Sequence, residues 1–181
     1  MIYMFLADGF EEVEALAPLD ILLRAGADIK TVGIGKKLII GAHGINIYAD
    51  IEDKELTSLD SQMVILPGGM PGTLNLENSE TVISAVKKAA ENNAYIAAIC
   101  AAPSILGKMG LLSGKRAVCF PGFENSLKGA EVSDSGVVRD GNIVTAAGMG
   151  VALEFGLELV RCLFGNEKAC ELFKSTQAHR R

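Results

Sequence analysis

The chain has 181 residues, of which 49% are hydrophobic and 22% charged, and its formal net charge is −5. This length is sufficient for one compact domain with a real core, and the composition excludes an intrinsically disordered chain. The net negative charge argues against a nucleic-acid-binding surface, and no basic patch is visible before Lys174 and the short terminal tail, residues 179–181. No internal repeat or linker is visible, so residues 1–181 are predicted to form a single domain.

The apolar segments are too short for a membrane span. The longest candidate, residues 94–106, is interrupted by Pro103 and is shorter than the roughly 18 apolar residues that a span requires. Residues 1–6 lack a basic leader and run directly into acidic residues, so they predict a buried strand rather than a signal peptide. We therefore expect a cytoplasmic protein that has no membrane partner.

The chain contains four cysteines and two histidines, with no Cys-x-x-Cys pair. This pattern disfavours a zinc site, and we expect neither a metal nor a cofactor. In a reducing compartment the four cysteines are predicted to be free thiols. Three of them are predicted to act as small buried hydrophobes: Cys119, Cys162 and Cys170.

Apolar runs of strand length alternate with segments of helical periodicity. In chain order the prediction is a strand at 1–6, a helix at 11–25 stopped by Gly26, a strand at 29–34, a hairpin at 37–48, a strand at 62–66, a helix at 79–92, a strand at 95–99, a helix from Pro103, a strand at 114–119, a hairpin at 136–145, and helices at 151–164 and 167–176. The alternation predicts an α/β protein with a mostly parallel sheet covered on both faces. Ligands of such sheets bind beyond the carboxyl ends of the strands, where the loops 7–12, 67–73 and 100–103 should converge.

Cys100 lies where a buried strand turns into a helix. Small neighbours permit a tight turn, and Pro103 suits the first turn of the helix that follows. A nucleophile elbow would expose the thiol above the sheet, and the positive helix end would lower the pKa of the thiol. A buried structural cysteine explains the position of Cys100 alone equally well.

Glu14 is the second candidate site residue. Acidic residues in the first turn of a helix are favoured by the macrodipole and need no further role. Pro18, however, removes the hydrogen bond that would reach back to the Glu14 carbonyl and so loosens the helix there. A carboxyl buried beside Cys100 would have a raised pKa and, when protonated, could donate a hydrogen bond to the thiolate.

The third loop has the sequence Leu-Pro-Gly-Gly-Met-Pro-Gly at residues 66–72. It lacks the Gly-Lys-Ser/Thr ending of a phosphate-binding loop. An oxyanion hole fits better, with the N–H groups of Gly69 and Ala101 facing a carbonyl oxygen held near Cys100. The Gly148-Met149-Gly150 segment is a weak signal and is more typical of the start of a helix.

Three motifs together resemble the ThiJ/PfpI superfamily, in the branch of the Parkinson-disease-associated protein and its bacterial relatives. They are Asp-Gly-Phe-Glu-Glu-Val-Glu at 8–14, Val-Ile-Leu-Pro-Gly-Gly at 64–69 and Ala-Ala-Ile-Cys-Ala-Ala-Pro at 97–103, supported by Phe155. The resemblance covers residues 1 to about 164. It implies a flavodoxin-like three-layer sandwich with a nucleophile elbow, and a homodimer.

The resemblance also implies roles for individual residues. Cys100 would be the nucleophile, Glu14 the acid that hydrogen-bonds it, and Gly69 and Ala101 the lining of the oxyanion site. Arg24 resembles a position that reaches the partner subunit's site. Members of this branch are described as glyoxalases and deglycases acting on α-oxoaldehydes or their adducts, and also as oxidative-stress sensors and chaperones.

The sequence departs from the superfamily pattern at three positions. Ala101 follows the cysteine where the peptidase-like branch has histidine, which disfavours a Cys-His peptidase or an amidotransferase. Phe120 stands where some relatives have a histidine near the site, and His43 stands where an arginine is found, so His43 is a candidate substrate contact. The leading hypothesis is thus a cysteine-dependent glyoxalase or deglycase with an oxidation-sensitive Cys100, acting on a small aldehyde. The alternative is a non-enzymatic redox sensor or chaperone-like dimer.

Overall fold

The computed structural model describes residues 1–178; the basic tail noted above, residues 179–181, lies outside the described residues. Five helices occur in this part of the chain: α1 (Glu12–Ala25), α2 (Gly72–Glu77), α3 (Glu80–Glu91), α4 (Pro103–Lys108) and α5 (Ala152–Ser175). The strands of residues 1–178 are β1 (Ile2–Leu6), β2 (Ile29–Gly33), β3 (Leu38–Ile40), β4 (Asn46–Tyr48), β5 (Ile51–Glu52), β6 (Met63–Leu66), β7 (Tyr95–Ile99), β8 (Arg116–Ala117), β9 (Glu131–Val132), β10 (Val137–Asp140) and β11 (Ile143–Ala146).

Seven strands form the central sheet in the order β10-β11-β7-β6-β1-β2-β5. Only the β10–β11 pair is antiparallel; the remaining neighbours are parallel. The central strands β1 and β6 are buried along their whole length, as their uninterrupted apolar sequences predict. The carboxyl ends of β1, β6, β7 and β11 therefore open onto one edge of the sheet.

Helices cover both faces of the sheet and create two separate hydrophobic clusters. One cluster packs α1 and α5 against the sheet through residues such as Leu22 and Phe155, and the other uses α3 and α4 through residues such as Val86 and Leu106. The α1 and α5 backbones approach closely at Gly156, where an added Cβ would lie 2.9 Å from the Pro18 Cα. These layers make the predicted three-layer sandwich. No helix in residues 1–178 is long and apolar enough to cross a membrane.

The helices and strands differ from the predicted elements in four places: α2, β5 and β9 were not predicted, and the strand predicted at 114–119 is shorter. Helix α2 follows the glycine loop, where no helix was predicted, because Gly-Thr-Leu-Asn-Leu-Glu shows little helical periodicity over six residues. The strand predicted at 114–119 shrinks to β8, which pairs with β9 outside the central sheet. Side-chain acceptors connect this segment to the sheet instead of a strand ladder: Asp140 accepts from the Arg116 N–H and Thr145 from the Val118 N–H.

The remaining predicted elements are confirmed within one to three residues at their ends. Ser79 caps α3 by accepting a hydrogen bond from the Val82 N–H, and Gly26 ends α1 in a left-handed conformation. The two C-terminal helices predicted from the sequence are the two halves of α5, which meet at a non-helical backbone conformation at Gly165.

Candidate active site

Loops from the ends of β1, β6 and β7 converge at one edge of the sheet, as predicted. The Glu11 N–H donates to the Gly68 carbonyl oxygen over 2.9 Å, and the Gly72 N–H donates to the Gly9 carbonyl oxygen over 3.1 Å. These backbone bonds join the loop after β1 to the glycine loop after β6. Residues from separate parts of the sequence are thereby held in one fixed arrangement around Cys100.

Cys100 occupies a strained turn directly after β7. Its φ angle is +64°, a left-handed conformation that residues other than glycine rarely adopt and that is typical of a nucleophile elbow. The turn is held on both sides, since the Cys100 N–H donates to the Ala146 carbonyl oxygen and the Phe120 N–H donates to the Cys100 carbonyl oxygen, each over 2.8 Å. The predicted elbow is therefore present, and its thiol is only partly buried.

Glu14 lies beside Cys100 in a narrow space that requires a glycine at position 68. A Cβ added to Gly68 would lie 2.4 Å from the Glu14 Oε2 and 2.5 Å from the Cys100 Cβ. The Glu14 side chain is almost completely buried, and its backbone N–H donates to Glu11 Oε2 over 2.7 Å. The carboxyl group of Glu14 is thus held against the sulfur by the start of α1.

Burial raises the pKa of the Glu14 carboxyl to about 7, while the Cys100 side chain and the amides of Gly68 and Met149 act in the opposite direction. Among the described residues, Glu14 Oε2 has no hydrogen-bond partner of standard geometry. A carboxyl proton on that oxygen would supply the missing contact to sulfur. The raised pKa agrees with the expectation from the sequence that Glu14 can be protonated near neutral pH.

The pKa of Cys100 differs from the sequence expectation. Burial raises the pKa of the thiol to about 12, the Glu14 carboxylate adds to this increase, and the amides of Gly69 and Ala101 lower it. A reactive thiolate at Cys100 therefore requires Glu14 to carry the proton, because the carboxylate charge then disappears and the acid becomes a donor.

Gly69 and Ala101, the residues predicted to line an oxyanion site, both lie beside Cys100. The N–H groups of Gly69 and Ala101 both approach the Cys100 sulfur closely enough to stabilise its thiolate. Two backbone donors beside a nucleophile can also stabilise negative charge on an oxygen of the bound substrate. The glycine loop thus contributes donors rather than side chains.

Arg24 and His43 are not brought to Cys100 within this chain. Arg24 lies in the last turn of α1, about 15 Å along the helix axis from Glu14, and pairs with Asp20 over 2.7 Å. His43 lies between β3 and β4, where its Nδ1 is 2.8 Å from Glu12 Oε2. A role for Arg24 in a partner subunit's site stays a prediction.

Glu11, Glu12 and His43 are the residues of the described part of the chain that could hold a metal ion, since their ligand atoms lie within 4.8 Å of one another. The buried Glu12 carboxylate already accepts from the His43 N–H and lies 2.8 Å from the His43 Nδ1. These contacts hold the hairpin loop against α1, and they raise the pKa of the His43 imidazole. Glu11, Glu12 and His43 are not among the groups that shift the pKa of Cys100.

Three site residues were missed by the sequence analysis or weighed too lightly: Gly68, Gly148 and Met149. The Met149 N–H approaches the Glu14 carboxyl and lowers its pKa. Met149 follows the carboxyl end of β11, the parallel neighbour of β7. Because β11 lies next to β7, the loop after β11 reaches the site. This could not be predicted, since the order of strands in the sheet is not visible in the sequence.

The fold and the site define a class of α/β proteins with a cysteine at an elbow and a buried glutamate beside it. The profile of the DJ-1/PfpI family matches residues 1–162. The chain therefore belongs to the DJ-1/PfpI family, which confirms the resemblance drawn from the motifs.

Relatives with known names agree with this assignment. "Protein DJ-1 homolog B" of Arabidopsis thaliana is 36% identical over 173 residues, which are 94% of this chain but only 40% of that protein. "Glutathione-independent glyoxalase DJR-1.2" of Caenorhabditis elegans is 30% identical over 166 residues, covering 91% of this chain and 88% of that protein. The chain spans less than half the length of two Arabidopsis relatives.

A solved structure shows the same architecture. Oxidized Toxoplasma gondii DJ-1 superposes with a TM-score of 0.94 at 29% sequence identity, covering 98% of both chains. The flavodoxin-like sandwich predicted from the sequence is thereby confirmed.

Proposed function

We propose that the protein is a cofactor-independent glyoxalase or deglycase that converts an α-oxoaldehyde, free or as an adduct, into a 2-hydroxyacid. The observation that supports this function best is the pairing of a nucleophile with a group able to carry a proton at neutral pH: Cys100 beside Glu14. A relative at 30% identity is named a glutathione-independent glyoxalase. The four free cysteines fit a reducing cytoplasm, where we place the protein.

The proposed reaction begins with addition of the Cys100 thiolate to the aldehyde carbon. A carbon–sulfur bond forms, the carbonyl electron pair moves to oxygen, and that oxygen takes the proton of Glu14 to give a hemithioacetal. The amides of Gly69 and Ala101 stabilise the oxygen while it is negatively charged.

Rearrangement and hydrolysis complete the cycle. The Glu14 carboxylate removes the proton from the carbon that bears sulfur, and the resulting enediol is reprotonated at the adjacent carbon, which leaves a thioester of the 2-hydroxyacid. Water then cleaves the thioester and restores the thiol. One water is added overall and nothing is oxidised by an outside reagent, so the cycle needs no redox cofactor.

The direct test is turnover of methylglyoxal by the purified protein, with lactate measured as product. We expect lactate to accumulate with the wild-type protein, and Cys100→Ser to reduce kcat by at least about 100-fold, because a serine hydroxyl remains protonated at neutral pH. Cys170→Ser, which changes an exposed cysteine on α5, is the matched control and should retain full activity. Equal activity in Cys100→Ser and wild type would refute the proposal.

A second candidate function is a redox sensor or chaperone-like module that uses the same cysteine. The buried Glu14 Oε2, unpartnered among the described residues, could donate its proton to an oxygen added to the Cys100 sulfur. A peptidase is disfavoured because Ala101 follows the cysteine and because His43 pairs with Glu12 instead.

A further inference from the structure

Phe120 places an exposed aromatic ring beside the candidate active site. Its side chain is 47% exposed, although its backbone N–H is fixed to the Cys100 carbonyl oxygen. A Cβ added to Gly148 would lie 3.2 Å from the Phe120 Cδ2 and 3.7 Å from the Glu14 Oε1. The ring and the catalytic carboxyl thus border the same small space next to Gly148.

The electrostatics of this space favour a neutral ligand. The groups that set the pKa values of Cys100 and Glu14 are these two side chains, Glu11 and backbone amides, with no lysine, arginine or histidine among them. An anionic substituent would be repelled by the negative charge that the Cys100–Glu14 pair carries in its reactive state, and it would find no cation there to offset its loss of water. A neutral apolar substituent has no such cost and can cover the exposed face of the Phe120 ring.

Single exposed apolar side chains are common on protein surfaces and need no function. Phe120 has a feature that such isolated residues do not need. Its backbone N–H donates a hydrogen bond to the carbonyl oxygen of Cys100, which fixes it beside the nucleophile. Two further exposed apolar residues lie beside the site: Met70, next to Gly69, is 47% exposed, and Met149, whose own N–H approaches the Glu14 carboxyl, is 54% exposed. Each of three loops around the site therefore offers an exposed apolar side chain.

We propose that Phe120 determines substrate specificity and that the preferred substrates are neutral α-oxoaldehydes with an aromatic or bulky apolar group on the ketone carbon. This inference rests on the proposed glyoxalase function. Phe120 contributes by packing against that group, whereas Cys100 and Glu14 act on the aldehyde end. A packing contact between two aromatic rings stabilises the bound substrate enough to change kcat/KM by about three- to tenfold.

The test compares kcat/KM for phenylglyoxal and glyoxal in wild type and in Phe120→Ala. This substitution keeps the backbone N–H that bonds Cys100, and the ring that it removes is half-exposed and belongs to neither hydrophobic cluster, so the fold is preserved. We expect phenylglyoxal kcat/KM to fall about three- to tenfold, while that of glyoxal, which has no substituent to pack, changes less than about twofold. Phe164→Ala, a 42% exposed phenylalanine on α5, is the matched control and should change neither value.

A binding measurement separates failure of this inference from failure of the proposed function. Neutral 2-oxo-2-phenylacetamide and pyruvamide would be compared for their ability to slow iodoacetamide alkylation of Cys100. Stronger protection by the phenyl compound in wild type, lost in Phe120→Ala, supports the inference even if no aldehyde is turned over. Equal effects of Phe120→Ala on the large and small compounds would overturn it, whatever the turnover.

Discussion

Glu14 determines the chemical state of the site at the scale of single residues. Its carboxyl has a pKa raised to about 7 by burial, whereas the charged form of this carboxyl raises the pKa of Cys100. The two groups therefore titrate together, and the apparent pKa values belong to the pair. One proton held on Glu14 rather than on sulfur gives the reactive thiolate.

The raised Glu14 pKa predicts a specific pH dependence of stability. Because the folded pKa lies above the unfolded value of 4.5, the folded state binds the proton more tightly, and stability is lost as pH rises from about 4.5 to about 7. Glu14→Gln removes this titration. The free energy of unfolding of the variant, relative to that of wild type, should therefore rise by about 3 kcal/mol between pH 4 and pH 8. Denaturant unfolding at several pH values measures the difference.

Glu80→Gln is the control for this experiment, since Glu80 is an exposed glutamate in the first turn of α3. Its unfolding free energy relative to wild type should change by less than about 0.5 kcal/mol over the same pH range. A Glu14→Gln variant with the same pH profile as wild type would mean that Glu14 is only a helix-terminus charge.

At the scale of elements, the side chains of Cys100 and Cys119 are separated into two hydrophobic clusters. Cys100 packs against the hydrophobic cluster formed with α1 and α5, whereas Cys119 belongs to the cluster on the face covered by α3 and α4. Burial raises the pKa of the Cys119 thiol to about 11, and the nearby Phe123 N–H lowers it only in part. The Cys119 backbone lies near Cys100, because the Phe120 N–H donates to the Cys100 carbonyl oxygen, but the packing of the two side chains into different clusters disfavours a disulfide between them.

This separation predicts the product of mild peroxide treatment. Without a second thiol to resolve a sulfenic acid, Cys100 should proceed to sulfinic acid before any other cysteine changes, and methylglyoxal turnover should fall in parallel. Intact-protein and peptide mass spectrometry, with a parallel activity assay, follow both changes. A Cys100–Cys119 disulfide would contradict the structural argument, and full activity of the sulfinate form would favour the sensor function.

The elements show what the sequence could and could not predict. Local signals predicted α3 through its Ser79 cap, the elbow at Cys100 and the helix that carries Glu14. Strand order is a long-range property, so the approach of the Met149 loop to Glu14 was not visible. The burial and the Glu14 carboxylate that raise the Cys100 pKa were not visible in the sequence, because desolvation depends on packing around the sulfur.

The whole molecule is expected to be a homodimer. This proposal comes from the family resemblance, and it gives Arg24 a role that it lacks within one chain. Sedimentation equilibrium at micromolar concentration should give a mass near twice the 19.1 kDa of the chain. A monomer would refute the dimer and remove Arg24 from the site; a dimer in which Arg24→Ala leaves methylglyoxal turnover unchanged would remove Arg24 alone.

The rate of iodoacetamide alkylation of Cys100 against pH tests most directly whether Cys100 and Glu14 act as a pair. Mass spectrometry would follow this rate in wild type, Glu14→Gln and Glu14→Ala, with Cys119 as the internal reference. We expect Cys100 to react faster than Cys119 at neutral pH, and the apparent Cys100 pKa to be lower in Glu14→Gln than in Glu14→Ala. Glutamine keeps a donor to sulfur without the charge, whereas alanine loses both. Identical pKa values in both variants and wild type, or equal labelling of Cys119, would contradict the pairing.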